Sequence, residues 1–447
     1  MKNFIETIKN IWRIQELKDK ILLTLGLLLI YRLGSNVVLP GIDPESLTDL
    51  QNQADGGILG ILNAFTGGAF AKASILALGI MPYISASIVI QLLGMAVPAI
   101  QKMQKEGESG RKKMTQITRY LTILIAGAQA PGYIANLVAQ NAQITLDPFL
   151  FSVLAWTVLV SGTIFAMWLG ERITDKGIGN GISLLIMVGI IASLPQAFMQ
   201  ELLAKIGAQG GGWVVFVIEI AFLYLVIMFA IALVQAVRKI PVQYAKQAVG
   251  GRNFTAPSSR SFIPLKVNAA GVMPIIFAQA IMFIPASVIG YMGSDNESLS
   301  GIMTVLGNIQ GFWYNFTFAM LIILFTYFYT AIQVNTNTIA DDLKRNGGFV
   351  PGIKPGKATA EYMDNVLSKI TLPGSLLLAF VAILPAIAMQ TGMSTSWAYF
   401  YGGTSLLIIV GVVLDTLQQI ESYLLNRHYD GLMKSGRVAG RSATSAI

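Results

Sequence analysis

The stretch ALGIMPYI at residues 77–84 is echoed by AAGVMPII at residues 269–276, each inside a long uncharged run. A second echo pairs GISLLI at residues 181–186 with GTSLLI at residues 403–408, in the same order along the chain. Ordered internal echoes indicate two homologous halves. Matched apolar segments that Gly and Pro interrupt in both halves are typical of membrane proteins with a pathway at the repeat interface.

Composition supports a membrane protein, because 54% of the residues are hydrophobic and only 12% are charged. Crossing a bilayer takes roughly 20 apolar residues. Ten stretches meet this requirement: Ile21–Ile42, Ala73–Ile100, Tyr120–Leu146, Pro148–Gly170, Gly177–Gln200, Trp213–Ala236, Val267–Ser294, Phe312–Val334, and two within residues 370–425 that turn back at Gln390–Ser396. The sequence therefore predicts an all-α polytopic protein with ten transmembrane helices.

Ten crossings place both termini on the same side of the membrane. All 31 Lys and Arg residues except Arg32, Lys72 and Lys205 fall in the termini or in the loops on that side. Basic residues mark the cytoplasmic face, so both termini are predicted to be cytoplasmic. Met1–Lys20 has no pattern of a cleavable signal peptide, and its apolar spacing favours an interfacial amphipathic helix.

The predicted organisation has four parts. Residues 1–20 form the amphipathic segment, and residues 21–206 form a first half with five helices. Residues 207–425 form a second half with five helices and two long cytoplasmic loops, at residues 237–266 and 335–369. Residues 426–447 form a cytoplasmic tail.

One apolar segment, Ile58–Phe65, is too short to cross. Eight helical residues extend only about 12 Å, so this segment is predicted to dip into the membrane. Gly56-Gly57 and Gly67-Gly68 flank it, and glycine gives the backbone freedom to swing. A moving segment and a static surface turn are both compatible with this pattern.

The two echoes align four isoleucines between the halves. Two more lie one helical turn further on in the first half, on the same helix faces. The six are Ile84, Ile88, Ile186, Ile190, Ile276 and Ile408. Helices related by a pseudo-two-fold axis would bring the six side chains to a common centre. A ring of stiff β-branched side chains excludes water there. An isoleucine in a membrane helix usually faces lipid or packs in a core, so the prediction depends on the internal symmetry.

Catalytic patterns are missing from the sequence. With no Cys and one His, nucleophile and metal arrangements that use these residues are excluded. The nearest phosphate-loop spacing, Gly347–Gly352, continues with Ile353 where a lysine is needed. Neither an enzymatic activity nor a cofactor or metal is therefore predicted. Arg32, Glu219 and Asp415 are the charges at membrane depth, one in each of three helices, which makes a poor proton relay.

Two sets of polar residues suggest interactions. Ser87 and Gln91 in one half, with Asn268 and Gln279 in the other, form either an interhelical seam that opens or ordinary polar helix packing. The long loops carry cations suited to an acidic or RNA-bearing partner. The cations are Arg238, Lys239, Lys246, Arg252, Lys344, Arg345, Lys354 and Lys357.

These residues lie in motifs that resemble the SecY family, whose members form the channel of the bacterial Sec protein translocase. The resemblance covers essentially the whole chain. Its motifs are LPGID at residues 39–43, ALGIMPYISASIVIQ at 77–91, EGESGRKK at 106–113, WLGERITDKGIGNGIS at 168–183, PLKVNAA at 264–270, FVPGIKPG at 349–356 and YGGTSLLI at 401–408.

The resemblance implies two inverted halves of five helices around a central pore in the bacterial plasma (inner) membrane. The six isoleucines would seal around a passing unfolded polypeptide. The segment at about residues 57–72, with Ile58, Leu59, Ile61, Leu62 and Phe65, would be an external plug. Ser87, Gln91, Asn268 and Gln279 would lie at a lateral gate, through which signal sequences and membrane helices reach lipid.

The same resemblance implies several partners. SecE and SecG would be the membrane subunits, and the basic loops would bind the SecA motor ATPase or the ribosome. One residue departs from the family pattern, because Lys354 stands where the family usually has Arg. Lysine keeps the charge but lacks the planar fork of arginine.

Two other classes of protein compete with this interpretation. An inverted-repeat secondary transporter of a small solute would need a polar cavity at mid-membrane, whereas the symmetric positions are isoleucine. A structural membrane scaffold would not need helices broken at matched Gly and Pro residues.

Overall fold

The computed structural model describes residues 12, 14–43, 47, 63, 65–139, 146–207, 212–244, 261–292 and 310–435. Helices dominate these residues, and three short strands form one sheet. The helices are α1 Gln15–Gly34, α2 Met81–Ala96, α3 Pro98–Lys105, α4 Glu108–Ala139, α5 Pro148–Lys176, α6 Gly181–Ile206, α7 Gly212–Gln235, α8 Met273–Met292, α9 Phe312–Gln333, α10 Thr336–Arg345, α11 Lys357–Gln390, α12 Thr395–Ala398 and α13 Gly403–Ser435. The strands are β1 Val237–Tyr244, β2 Ser261–Lys266 and β3 Gly348–Phe349.

Seven helices within the described residues are long and apolar enough to cross a membrane: α4, α5, α6, α7, α9, α11 and α13. They coincide with seven of the ten predicted stretches. Counting α2 and α3 as one bent span raises the number to eight. Helices α1 and α8 occupy the remaining two stretches. The turn predicted at Gln390–Ser396 is confirmed, because α11 ends at Gln390 and α12 begins at Thr395.

The predicted span Ala73–Ile100 is not one straight helix. Helix α2 begins only at Met81, with Pro82 in its first turn, and ends at Ala96. The chain then bends by 103° into α3. Val97, at the bend, has φ −109° and ψ 114°, the extended conformation that Pro98 imposes on its predecessor. Hydropathy does not detect this break, since Val97 and Pro98 carry no charge.

The first and last long helices begin or end at other residues than the sequence predicts. Helix α1 begins at Gln15 and ends at Gly34, so it starts before the predicted span Ile21–Ile42 and leaves its last residues in turns. Charged residues at positions 18–20 concealed this earlier start. Helix α13 runs to Ser435, beyond the boundary predicted at residue 425. Most of the predicted amphipathic segment lies outside the described residues.

The loop predicted at residues 237–266 contributes two strands to a sheet. Strands β1 and β2 pair antiparallel, with Ile240 opposite Ile263. The segment at residues 335–369, which was predicted as one long loop, consists mostly of regular secondary structure. It contains α10, β3 and the first three turns of α11, so the true loops within it are short. Strand β3 joins β1. The sheet and these helices enclose a separate apolar core of Ile240, Val242, Leu265, Leu343, Val350 and Met363.

Candidate functional site

Four helices bring the six aligned isoleucines to one region. Ile84 and Ile88 lie on α2, Ile186 and Ile190 on α6, Ile276 on α8 and Ile408 on α13. All except Ile276 are buried members of the same large hydrophobic cluster, and Ile276 is partly buried and packs against it. The echoed positions are therefore collected in the fold, and their role in lining a pore stays a prediction.

Local sequence explains how these helices start where they do. Pro82 lies in the first turn of α2, where its missing N–H costs no hydrogen bond. Asn180 caps α6, and its Oδ1 accepts hydrogen bonds from the N–H groups of Ile182 and Ser183 at 3.2 and 3.4 Å. Gly403, with φ +62°, provides the left-handed residue at the start of α13. The Gly and Pro residues of the echoes thus lie at the positions where these helices begin.

Of the five apolar residues predicted to form the plug, the structure describes Phe65. It is buried in the same cluster as the isoleucines. Ile58, Leu59, Ile61 and Leu62 lie outside the described residues.

The turns that follow Phe65 are tied down at several points. Tyr133 Oη on α4 donates to the carbonyl of Phe70 at 2.7 Å, and the N–H of Leu39 donates to the carbonyl of Ala73 at 2.8 Å. Lys72 Nζ donates to Asn36 Oδ1 at 2.8 Å. Burial, assisted by the positive charge of Arg32, lowers the pKa of Lys72.

In the described part of the chain, no hydrogen bond joins the two polar pairs of the predicted gate. Gln91 Nε2 donates to Ser87 Oγ at 3.4 Å within α2. Asn268 and Gln279 are buried, and neither the Asn268 amide nor Gln279 Oε1 has a hydrogen-bond partner in the described part of the chain. Gln279 lines a small cavity with Tyr314 and other residues of α9, α11 and α13. The two polar pairs therefore share no hydrogen bond in this conformation.

Of the eight loop cations named from the sequence, the six that the structure describes are all exposed to solvent. Arg238 and Lys239 lie on β1, Lys344 and Arg345 end α10, Lys354 lies in a turn and Lys357 begins α11. Lys246 and Arg252 lie outside the described residues. Thr359 Oγ1 donates to the carbonyl of Lys354 at 2.9 Å, which fixes the turn. The result is an exposed cationic surface on a small sheet with its own core.

Of the three charges predicted at membrane depth, Glu219 lies in a cluster that sequence reasoning missed. Lys205 Nζ lies 3.1 Å from Glu219 Oε1 and 3.4 Å from Glu201 Oε1. The sequence signal was the four-residue spacing of Glu201 and Lys205 on one helix face. Asp415 is exposed on α13. Arg32 contacts the turn after Phe65, donating from Nη1 to the carbonyl of Gly67 at 2.6 Å.

Known proteins resemble the chain along nearly its whole length. The protein translocase subunit SecY of Halalkalibacterium halodurans is 44% identical over 444 residues, covering 96% of this chain and 99% of that protein. The protein of the same name from Vibrio cholerae is 42% identical over 434 residues, covering 96% of each chain. The Streptomyces galbus protein is 41% identical over 434 residues, covering 95% of this chain and 98% of its own.

Solved structures share the fold. A structure described as a protein conducting channel matches with a TM-score of 0.60 at 18% identity, covering 94% of both chains. Sec61 in the canine ribosome–channel complex from the endoplasmic reticulum matches with a TM-score of 0.57, also at 18% identity and 94% coverage of both chains. The family description SecY matches residues 74–417. The chain belongs to the SecY family.

Proposed function

We propose that this chain is the channel subunit of a protein translocase, which passes unfolded polypeptides across a membrane. The observation that carries the proposal is its identity of more than 40% with translocase subunits over nearly their full length. The buried isoleucines fit this function, since an apolar constriction hinders water and ions while adapting to many side chains. A conduit of this kind needs no catalytic residues of its own.

The finer assignments are also proposals. The protein lies in the bacterial plasma membrane with both termini in the cytoplasm, which agrees with the distribution of Lys and Arg. The turns from Phe65 to Lys72 end a plug that closes the resting pore. Helices α2 and α8 border a lateral gate to lipid. The buried, unbonded Asn268 amide supports this site, because a passing polar group would supply its missing partner.

Partners bind from both the membrane and the cytoplasm in this proposal. The exposed cations of the sheet and of the Lys354 turn suit acidic protein or ribosomal RNA. A SecA-type motor or the ribosome docks there and supplies the energy. Small membrane subunits of the SecE and SecG type cover apolar helix faces such as that of α7, where Val214, Val217 and Leu225 are exposed.

Disulfide crosslinking tests the channel. The chain has no cysteine, so one cysteine is introduced at Ile408, which is buried in the cluster, or at Val413, which is exposed on the same helix. A secretory polypeptide with its own cysteine is stalled during export. We expect an adduct with Ile408→Cys that requires the signal sequence, and none with Val413→Cys. Equal adducts at both positions contradict a pore lined by Ile408. A substrate that never engages the protein contradicts the translocase function.

A further inference from the structure

Polar residues of α6, α7 and the segment between α11 and α13 form a buried cluster with one negative charge in excess. Lys205 Nζ lies 3.1 Å from Glu219 Oε1 and 3.4 Å from Glu201 Oε1, and both glutamate side chains are buried. The ion pairs within the described residues bring no other cation to either carboxylate. The adjoining residues 208–211 contain neither Lys nor Arg. One ammonium group therefore faces two carboxylates.

Several polar atoms in this region have no hydrogen-bond partner in the described part of the chain. They are Glu219 Oε2, Ser394 Oγ, Trp397 Nε1 and Tyr401 Oη, and all four atoms are buried. Buried polar atoms in proteins normally have a partner, whether this is another protein group, an ordered water or an ion. Four such atoms beside an excess charge indicate a place where a ligand binds.

Contacts with neighbouring residues place two of the hydroxyl groups next to the carboxylates. The N–H of Ser394 donates to Glu201 Oε2 at 2.9 Å, so this serine lies beside Glu201. The Tyr401 ring stacks on Phe222 with 6.0 Å between the centroids, and Phe222 follows Glu219 by three residues on the same face of α7. Burial raises the pKa of Tyr401, and the Glu219 and Glu201 carboxylates raise it further. Tyr401 therefore presents a neutral hydroxyl within electrostatic reach of both.

Trp397 completes the surroundings of these oxygens. Its ring packs edge-on against Tyr401, with 6.0 Å between the centroids, and against Phe198 of α6 at 5.7 Å. Its indole N–H lies next to the Tyr401 hydroxyl and lowers the pKa of that group, but the two groups do not reach hydrogen-bond geometry. The lone pairs of Tyr401 Oη therefore stay available to a cation.

We propose that Glu219 Oε2, Tyr401 Oη and Ser394 Oγ bind one monovalent cation of the sodium type. A single positive charge neutralises the cluster, and buried charges in proteins are normally paired or bound to an ion. Carboxylate and hydroxyl oxygens are hard ligands. Within the described residues no group of three His, Asp or Glu side chains is placed to hold a metal ion, so a divalent cation lacks the anionic ligands that it prefers.

The position of the cation gives it a structural role. The Lys205 side chain is 16% exposed, so the cluster lies just below the protein surface and within reach of ions in solution. The cation connects α7 to the segment between α11 and α13, beside the contact of that segment with Glu201 on α6. The inference does not depend on the channel function, because it concerns the stability of the chain itself.

Two variants change the site without changing its size. Glu219→Gln removes the excess charge, and Tyr401→Phe removes one ligand oxygen that has no other partner in the described part of the chain. Glu108→Gln is the matched control, because it makes the same chemical change at the exposed Lys112–Glu108 pair of α4.

The measurement is the Tm of the full-length protein in detergent while sodium chloride replaces choline chloride at constant ionic strength. A ligand that binds only the folded state raises the Tm in a saturable way, and we expect a rise of about 2–4 °C for the parent and for Glu108→Gln. Glu219→Gln should lose the response. Tyr401→Phe should need about tenfold more sodium for half of the effect, as the loss of one ligand predicts.

Three results would overturn the proposal. The first is a parent Tm that is the same in sodium and in choline. The second is a sodium response that Glu219→Gln keeps in full, because this shows a general effect of the salt. The third is a Tm that ignores sodium but rises on mild acidification, because a proton on Glu201 or Glu219 then neutralises the cluster in place of a cation. If Glu219→Gln does not accumulate, Tyr401→Phe decides, and an unchanged sodium requirement in this variant contradicts the site.

Discussion

Lys205 on α6 and Glu219 on α7 form an ion pair with an Nζ–Oε1 distance of 3.1 Å, although both helices are apolar. Lys205 also pairs with Glu201 at 3.4 Å, and the Glu201 and Glu219 side chains are only 1% and 3% exposed. Glu201 Oε2 accepts from the N–H of Ser394 at 2.9 Å. One ammonium group therefore serves two buried carboxylates and helps to hold the turn that follows α11.

Lys205→Met should be strongly destabilising, because it leaves two buried carboxylates without a cation. Breaking a buried pair in this way costs about 3–5 kcal/mol. Thermal unfolding in detergent measures the effect as a lower Tm. Lys112→Met is the control, since the Lys112–Glu108 pair is exposed on both sides and such pairs contribute about 0.5 kcal/mol. Similar losses for the two variants would contradict the assignment of Lys205 as a buried partner.

Gly162→Ala should weaken the packing of α5 against the turns before α2. A Cβ atom at Gly162 would collide with the carbonyl oxygen of Ile75, and forced overpacking costs about 1–3 kcal/mol. Gly26→Ala in α1 meets no such obstacle and should be neutral or stabilising by up to about 1 kcal/mol. Chemical or thermal unfolding of both variants gives the comparison. A Gly162→Ala protein as stable as Gly26→Ala would show that α5 can shift without cost.

Arg119→Lys should loosen α4 from α5 in a salt-dependent way. Arg119 Nε and Nη2 donate to Glu171 Oε1 and Oε2 at 2.9 and 2.7 Å, a two-point contact that lysine cannot make. The pair is partly exposed, so we expect a loss of about 0.5–1 kcal/mol. The difference in Tm from the parent should shrink at high salt, where exposed pairs are screened. A difference that is independent of salt would point to packing instead.

Lys354→Glu should block export without unfolding the protein. Lys354 is exposed, and the turn that carries it is fixed through its carbonyl by Thr359. Reversing its charge against an acidic partner costs several kcal/mol, which corresponds to a loss of at least about tenfold in export rate. Lys112→Glu, on the exposed surface of α4, is the control for a charge reversal elsewhere. Unchanged export by Lys354→Glu would remove this turn from the proposed docking surface.

Much of the fold follows from apolar length and from the echoed Gly and Pro residues. These features predict the seven long helices, and they mark the starts of α2 and α13. The antiparallel pairing of β1 with β2 also agrees with the sequence, where Gly250-Gly251 is a turn signal between two extended stretches. Such features are local, because they depend on residues that are neighbours in sequence.

What could not be predicted depends on contacts between distant residues. Helix α11 continues through a region that looks like a loop because its first three turns are polar, and the core around Met363 stabilises them. Glu201, Lys205 and Glu219 form a cluster that joins α6 to α7. A hydropathy profile shows Glu219 only as a single charge within an apolar stretch. Arg32 and Gly67 are 35 residues apart, and no periodicity links them.

Helix α11 runs without interruption from Lys357 to Gln390, 34 residues, which is roughly 50 Å of helix. One end adjoins the Lys354 turn, and the other leads to Ser394, whose N–H donates to Glu201. Helix α11 can therefore act as one rigid rod. A displacement of the Lys354 turn is either transmitted along the helix to the opposite surface of the protein or absorbed by bending at Pro373 and Pro385.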